Sequence, residues 1–218
     1  MINFYDNDYK STKKIKLGKD TLNADFAQFA GFIYSNYKTK LLNILFEKLK
    51  NSNRYRLSLI VEYSTELINF YRKDYYALSS RIEKTIIAEF RKQMIDQKLE
   101  HKYPVDDFFV YVTAFERVAK DEVTSKIKLK EYKKLINNSE IWEIQNWFSS
   151  VVIFLFTDKQ VKKYKNSDAK KVWEEEYLKM LQPHDTFGYF PSEKFEIHLD
   201  SKENFDKNYQ SNWYYYYK

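Results

Sequence analysis

The chain has 218 residues, room for one domain or two small ones and for a sizeable core. Three glycines and three prolines exclude collagen-like, linker-like and turn-rich all-β chains, and the lack of cysteine excludes disulfide frameworks, thiolate zinc sites and cysteine nucleophiles. Apolar residues make up 44% of the chain and aromatics 19%, so generic disorder is excluded, and a net charge of +6 is mild for a dedicated nucleic-acid binder.

Residues 1–20 are polar and lysine-rich, with scattered Ile2, Phe4, Tyr5, Ile15 and Leu17, and read as an irregular N-terminal arm. Met1 to Lys10 carries Asp6 and Asp8 and no apolar stretch, so no secretory signal is visible. Asn23 or Asp25 then caps a long helix, because Phe26, Phe29, Ile33, Tyr37, Leu41, Leu45 and Leu49 recur every three or four residues. Asn51-Ser52-Asn53 breaks that pattern. In residues 54–63, Tyr55, Leu57, Leu59, Val61 and Tyr63 alternate as in a strand. Leu57, Ile60, Ser64, Leu67, Tyr71 and Tyr75 also hold helical spacing, and the longer window decides for helix.

Ser80 and Glu83 have the spacing of a capping box, ahead of Ile82, Ile86, Phe90 and Met94 on one helical face ending near Leu99. Pro104, Asp106 and Asp107 read as the first turn of the next helix, whose stripe is Phe108, Val112, Phe115, Ala119 and Val123. A short lysine-rich helix follows, with Leu129, Tyr132 and Ile136 apolar, up to a turn at Asn137-Asn138-Ser139. Ile141, Ile144, Phe148, Val151 and Leu155 predict another helix capped by Ser139. Its Val151 to Phe156 run is apolar all round, which places it centrally, with a strand at 150–156 as the competing reading. That run is the longest apolar stretch and too short to span a membrane, so a soluble cytoplasmic protein is expected. Ser167 caps a last helix with Val172, Trp173, Tyr177, Met180 and Leu181.

After Gln182 the pattern changes. Pro183, Gly188 and Pro191 cluster, and Trp213-Tyr214-Tyr215-Tyr216-Tyr217 closes the sequence with rings that need a surface to dock on. The expectation is an all-α bundle of about seven helices over 21–182, preceded by the arm 1–20. Residues 183–218 are expected to be extended or weakly β and packed on the helices. No internal repeat is evident.

Few residue constellations point to chemistry. His101, His184 and His198 lack metal-ligand spacing, no glycine-rich phosphate loop is present, and Asp106 with Asp107 reads as helix-dipole compensation. No catalytic, metal or cofactor site is therefore expected, and the chain reads as a non-enzyme. Two lysine-rich stretches, Arg117 to Lys134 and Lys159 to Lys171, could line a nucleic-acid groove, although lysines also fill ordinary solvated helix faces. Glu174-Glu175-Glu176 lies after Lys170 and Lys171 at i,i+4 spacing, suited to helix ion pairs. Together with the acids after Pro183, six against four bases, it would also give an acidic, aromatic-rich surface suited to a protein partner.

His184-Asp185-Thr186-Phe187-Gly188-Tyr189-Phe190, with Glu193 beyond it, resembles the end of PoNi-type immunity proteins of polymorphic toxin systems. Gly188 and Tyr189 match the family's Gly-Tyr-Trp-x-x-Glu motif, Phe190 stands for its tryptophan, and Glu193 falls at the matching offset. Asp200-Ser201 resembles the later Asp-rich turn, and Trp213 to Tyr217 the tyrosine-rich close. Leu181-Gln182-Pro183 stands where the family has a Trp-Tyr pair. The resemblance implies a helical immunity protein that binds a cognate toxin and covers or locks its active site. Glu174, Glu175, Asp185, Tyr189 and Glu193 are the expected contact residues. The alternative is a nucleic-acid-associated accessory protein of a mobile element using the lysine-rich helices.

Overall fold

A computed structural model describes residues 3–49, 52–72 and 77–218. The chain divides into two compact units, residues 1–118 and 119–218. Ile2, Asn51 and Tyr75, used above, lie outside the described residues.

In the first unit, α1 (Asn7–Lys16) forms within the segment expected as an irregular arm. Asn23 does act as a cap, but of a short 3₁₀ turn, where its side chain accepts the Asp25 N–H at 3.1 Å. The turn leads into α2 (Ala27–Tyr37), which ends at Lys38 in a left-handed conformation with φ 53°. The chain then enters β1 (Leu41–Lys48), so the long helix expected through Leu49 does not exist. β2 (Tyr55–Val61) is the strand its alternation suggested, not the helix preferred above. α3 (Ser80–Asp96) follows at the expected place, with Ser79 rather than Ser80 as its first flanking residue and no side-chain cap. The segment from Pro104 is no helix. Asp107 pairs with Arg54 at 3.3 Å, and the chain runs into β3 (Phe108–Ala114) and then α4 (Phe115–Thr124), inside which the division between units falls.

β1 and β2 are antiparallel, β2 and β3 parallel, in the order β1-β2-β3. One face carries Ile44, Leu57, Leu59, Val110 and Val112 against Phe29 and Ile33 of α2 and Ile86, Phe90 and Met94 of α3. α1 roofs the other face through a polar network. Asp8, 2% exposed, meets the Arg56 guanidinium at 2.9 Å and accepts the Ser58 hydroxyl at 3.2 Å, while Arg56 also reaches Glu47. Asn43 donates to Thr12 Oγ1 at 3.1 Å.

The second unit opens with α5 (Leu129–Ile136), as expected, ended by Asn137 in the left-handed region at φ 39°, which asparagine tolerates. The expected helix over 141–155 is instead the hairpin β4 (Ile141–Trp147) and β5 (Ser150–Leu155). Its apolar run marks a central strand buried on both faces, a pattern that mimics a buried helix. α6 (Asp158–Tyr164) and α7 (Asp168–Leu181) follow, the latter capped by Ser167 as predicted. The C-terminal region contains β6 (His198–Ser201), but α8 (Lys202–Tyr209) and α9 (Trp213–Tyr216) make it more helical than extended. The order is β4-β5-β6, antiparallel then parallel. The all-α bundle of about seven helices, and the helical fold the family resemblance implied, are thus corrected to two α/β units with mixed three-stranded sheets. The error lies in reading strand positions that also satisfied a three-or-four spacing as helix.

The two units share one design, which the sequence did not reveal as a repeat. Both first strands carry a bulge one residue after their start, where the side chain of Asn43 or Glu143 accepts the N–H of the following Ile44 or Ile144, at 2.8 and 2.9 Å. Val61 pairs with Ala114, and Leu155 with Ser201. Two residues beyond the third strand, Glu116 and Glu203 donate their N–H to Glu62 and Phe156, the residue just past the second strand, at 2.9 and 3.2 Å. The same two glutamates accept the N–H of Ser64 and Asp158 at 3.0 and 3.1 Å. Glu66 and Gln160 then reach back to the N–H of Tyr63 and Thr157.

Candidate functional site

The five residues expected at a partner surface all belong to the second unit, and three of them turn inward. Glu174 on α7 pairs with Lys170 at 2.8 Å and accepts the Ile197 N–H at 3.0 Å. Asp185 accepts the N–H groups of Tyr189 and Phe190 at 3.0 and 2.9 Å. Gly188 sits at φ 68° in this loop, a conformation glycine adopts without strain, and donates to Asp185 O at 3.3 Å. Tyr189 is 5% exposed. The His184–Phe190 motif is therefore a carboxylate-closed turn that pins the loop to α7. Phe190 packs edge-on against Phe195, which stacks on Tyr177 of the same helix at 5.7 Å. Glu175 and Glu193 remain exposed; Glu193 accepts the Ser192 hydroxyl at 3.1 Å.

The closing aromatic run divides the same way. Asn212 caps α9 by accepting the Tyr214 N–H at 2.9 Å. Trp213 and Tyr216 pack on the face of sheet β4-β5-β6 that bears Trp142 and Phe154, beside Phe205 of α8. The Tyr216 hydroxyl donates to Asp200 at 2.6 Å; burial first, and that carboxylate second, hold the phenol far above the usual range. Tyr217 stacks on Trp147 at 4.1 Å, and burial pushes its phenol up to about 12. Trp142, Trp213, Tyr217 and Trp147 form a series of near-parallel rings, with interplanar angles of 8°, 18° and 7° between successive members. A cleft of about 360 Å³ opens among Trp147, Trp213, Tyr214, Tyr217 and Lys218.

Trp147 and Phe148, in a segment read from the sequence as helix, complete this surface. Trp147 and Phe148 form the tip of the β4–β5 hairpin, each 42% exposed, and Tyr214 and Tyr215 are more exposed still. Phe148 is held in the left-handed region at φ 51°, its carbonyl accepting the Thr124 hydroxyl at 3.1 Å. A bulky residue in that region is strained, and such strain concentrates at working surfaces. The only sequence signal was the aromatic density itself, because the hairpin was read as helix.

Part of the charge of the lysine-rich stretches is met by neighbouring carboxylates, with Lys170 paired to Glu174. Lys126 faces Glu122, Lys128 faces Glu131, Lys163 faces Glu140, and Lys171 faces Asp168. Among the described residues, no group of three or more His, Asp or Glu side chains is placed to hold a metal ion, and no helix is long and apolar enough to cross a membrane. Comparison with family profiles, curated proteins and solved structures finds no match for this chain.

Proposed function

We propose that the chain is a non-catalytic binding protein that neutralises a partner toxin in the cytoplasm. It does so by covering the toxin's active cleft or locking its shape, as the resemblance of residues 184–193 to PoNi-type immunity proteins suggested. The observation that carries the reading is the exposed aromatic surface at Trp147, Phe148, Tyr214 and Tyr215. Large, pre-positioned rings are the side chains that dominate binding energy at protein interfaces, whereas exposed tryptophans and tyrosines gain little in water. Trp147 is held by its stack on Tyr217, so little of its side-chain freedom is lost on binding. The contact set moves accordingly. Glu175 and Glu193 remain as exposed carboxylates of the second unit, while Glu174, Asp185 and Tyr189 support the loop from within.

An interface of this kind buries roughly 1,200–2,000 Å². The test is co-expression with the product of the adjacent reading frame. Growth arrest by that neighbour, relieved by the wild-type chain and not by Trp147→Ala/Tyr214→Ala, supports the reading. Full rescue by the double variant, or no rescue by the wild type, refutes it.

A further inference from the structure

The helix α1 divides its side chains sharply between two sides. Asp8, Tyr9 and Thr12 are buried toward sheet β1-β2-β3, and Lys16 on that side is paired with Glu62 at 2.6 Å. Lys10, Lys13, Lys14 and Leu17 follow at positions i, i+3, i+4 and i+7, so they share the opposite face. The helix stops at Leu17, and Gly18 takes φ 68°, a turn glycine makes without strain. That turn lets the Lys19 N–H donate to Lys14 O at 2.9 Å, which brings a fourth lysine back to the helix. Leu45 of the edge strand β1 closes the space between. The result is a groove of about 660 Å³.

Its charge is one-sided. Four lysines line the groove and no carboxylate does. Lys10, Lys14 and Lys19 make no ion pair among the described residues, whereas Lys16 and Arg56 on the inner side are both neutralised. Clustered ammonium groups repel one another and concentrate anions at the groove. The lining also discriminates among anionic partners. It holds no aromatic ring on which a base could stack and no arginine fork for bidentate phosphate contact. It holds instead an apolar strip, Leu17 at 40% exposure and Leu45.

We infer that the groove between α1 and strand β1 binds an acidic, amphipathic segment of a partner protein. Carboxylates of the segment meet Lys10, Lys14 and Lys19, and an apolar side chain lies on Leu17 and Leu45. This surface belongs to the first unit, and the inference does not depend on the role given to the aromatic surface of the second.

The test is fluorescence anisotropy with the full chain and a labelled probe peptide of about 15 residues built from glutamate and leucine, at low salt. Saturable binding is expected, and K10Q/K14Q/K19Q weakens it at least about tenfold. Leu17→Ser, which changes no charge, weakens it several-fold, as does a probe with serine in place of leucine. K10R/K14R/K19R, keeping the charge, retains binding and serves if the glutamine variant fails to fold. The inference is overturned if the wild type does not bind the probe, or if the glutamine variant binds it as tightly. It is equally overturned if an oligothymidylate of about 20 nucleotides binds the wild type more tightly than the peptide, since that assigns the groove to nucleic acid.

Discussion

The Asp8 carboxyl makes stability depend on pH in a direction opposite to that of ion-paired carboxylates, whose pKa is lowered on folding. Asp8 is 2% exposed under α1, and burial raises its pKa from 3.8 to about 6, more than the Arg56 guanidinium lowers it. The folded chain therefore holds this proton more tightly than the unfolded chain. The stabilisation is fully present below pH 3.8 and is lost as pH rises through about 6. At about 1.4 kcal/mol for each unit, the whole difference is on the order of 3 kcal/mol. About 2 kcal/mol of it falls between pH 4.5 and 7.5. That window avoids Glu140, whose carboxyl Lys163 and Tyr164 hold down to about 2 and which contributes in the opposite sense at lower pH. Asp8→Asn removes the proton and with it the slope. The assay is urea denaturation followed by amide exchange in strands β1 to β3, because all four tryptophans lie beyond residue 118 and fluorescence reports the second unit. Wild type is expected to lose about 2 kcal/mol across the window relative to Asp8→Asn. Parallel pH profiles for the two proteins would refute the assignment.

Glu116→Ala and Glu203→Ala each strip an acceptor from a backbone N–H, and both are expected to cost about 1 kcal/mol in chemical denaturation; a cost at one site alone argues against their equivalence. Tyr132→Phe leaves the Trp173 carbonyl without the hydroxyl that donates to it at 2.7 Å, and tryptophan-detected denaturation should show a loss of about 1–2 kcal/mol. Phe148→Asn relieves the left-handed strain at the hairpin tip, so it is expected to raise stability by about 0.5–1 kcal/mol while weakening partner binding; a loss of stability would show that the conformation is unstrained. In a spectrophotometric alkaline titration, Tyr132, Tyr177 and Tyr216, all raised mainly by burial, should ionise only as the chain unfolds; early ionisation of every tyrosine would contradict that packing.

Helices whose apolar stripe was uninterrupted were legible: α3, α5 and α7, the last with its Ser167 cap. The strands were not, for three physical reasons. β5 is a central strand buried on both faces, so Val151–Leu155 lacks the clean alternation of a half-exposed strand, whereas Tyr55–Val61 of β2 does alternate but also fits a helical spacing that runs on through Ser64 and Leu67. At Phe108–Val123 the apolar residues of β3 run directly into those of α4, and a strand followed by a helix imitates one long stripe. The internal repeat was hidden because it rests on backbone pairing more than on residue identity: Asn43 answers to Glu143 and Glu66 to Gln160, while Ile44 and Ile144, and Glu116 and Glu203, keep the same side chain. Of the candidate surface, the aromatic close of the chain could be read directly. Trp147 and Phe148 could not, since a hairpin tip has no place in a predicted helix. Asp185 and Tyr189 were picked out as partner contacts, but together they build a turn.

The matched bulges and glutamate clasps let two different amino-acid compositions close the same kind of three-stranded unit. The compositions differ sharply: every arginine lies in the first unit and every tryptophan in the second. The same hydrogen-bonded skeleton thus carries two different exteriors, one holding the arginines and the other the tryptophans.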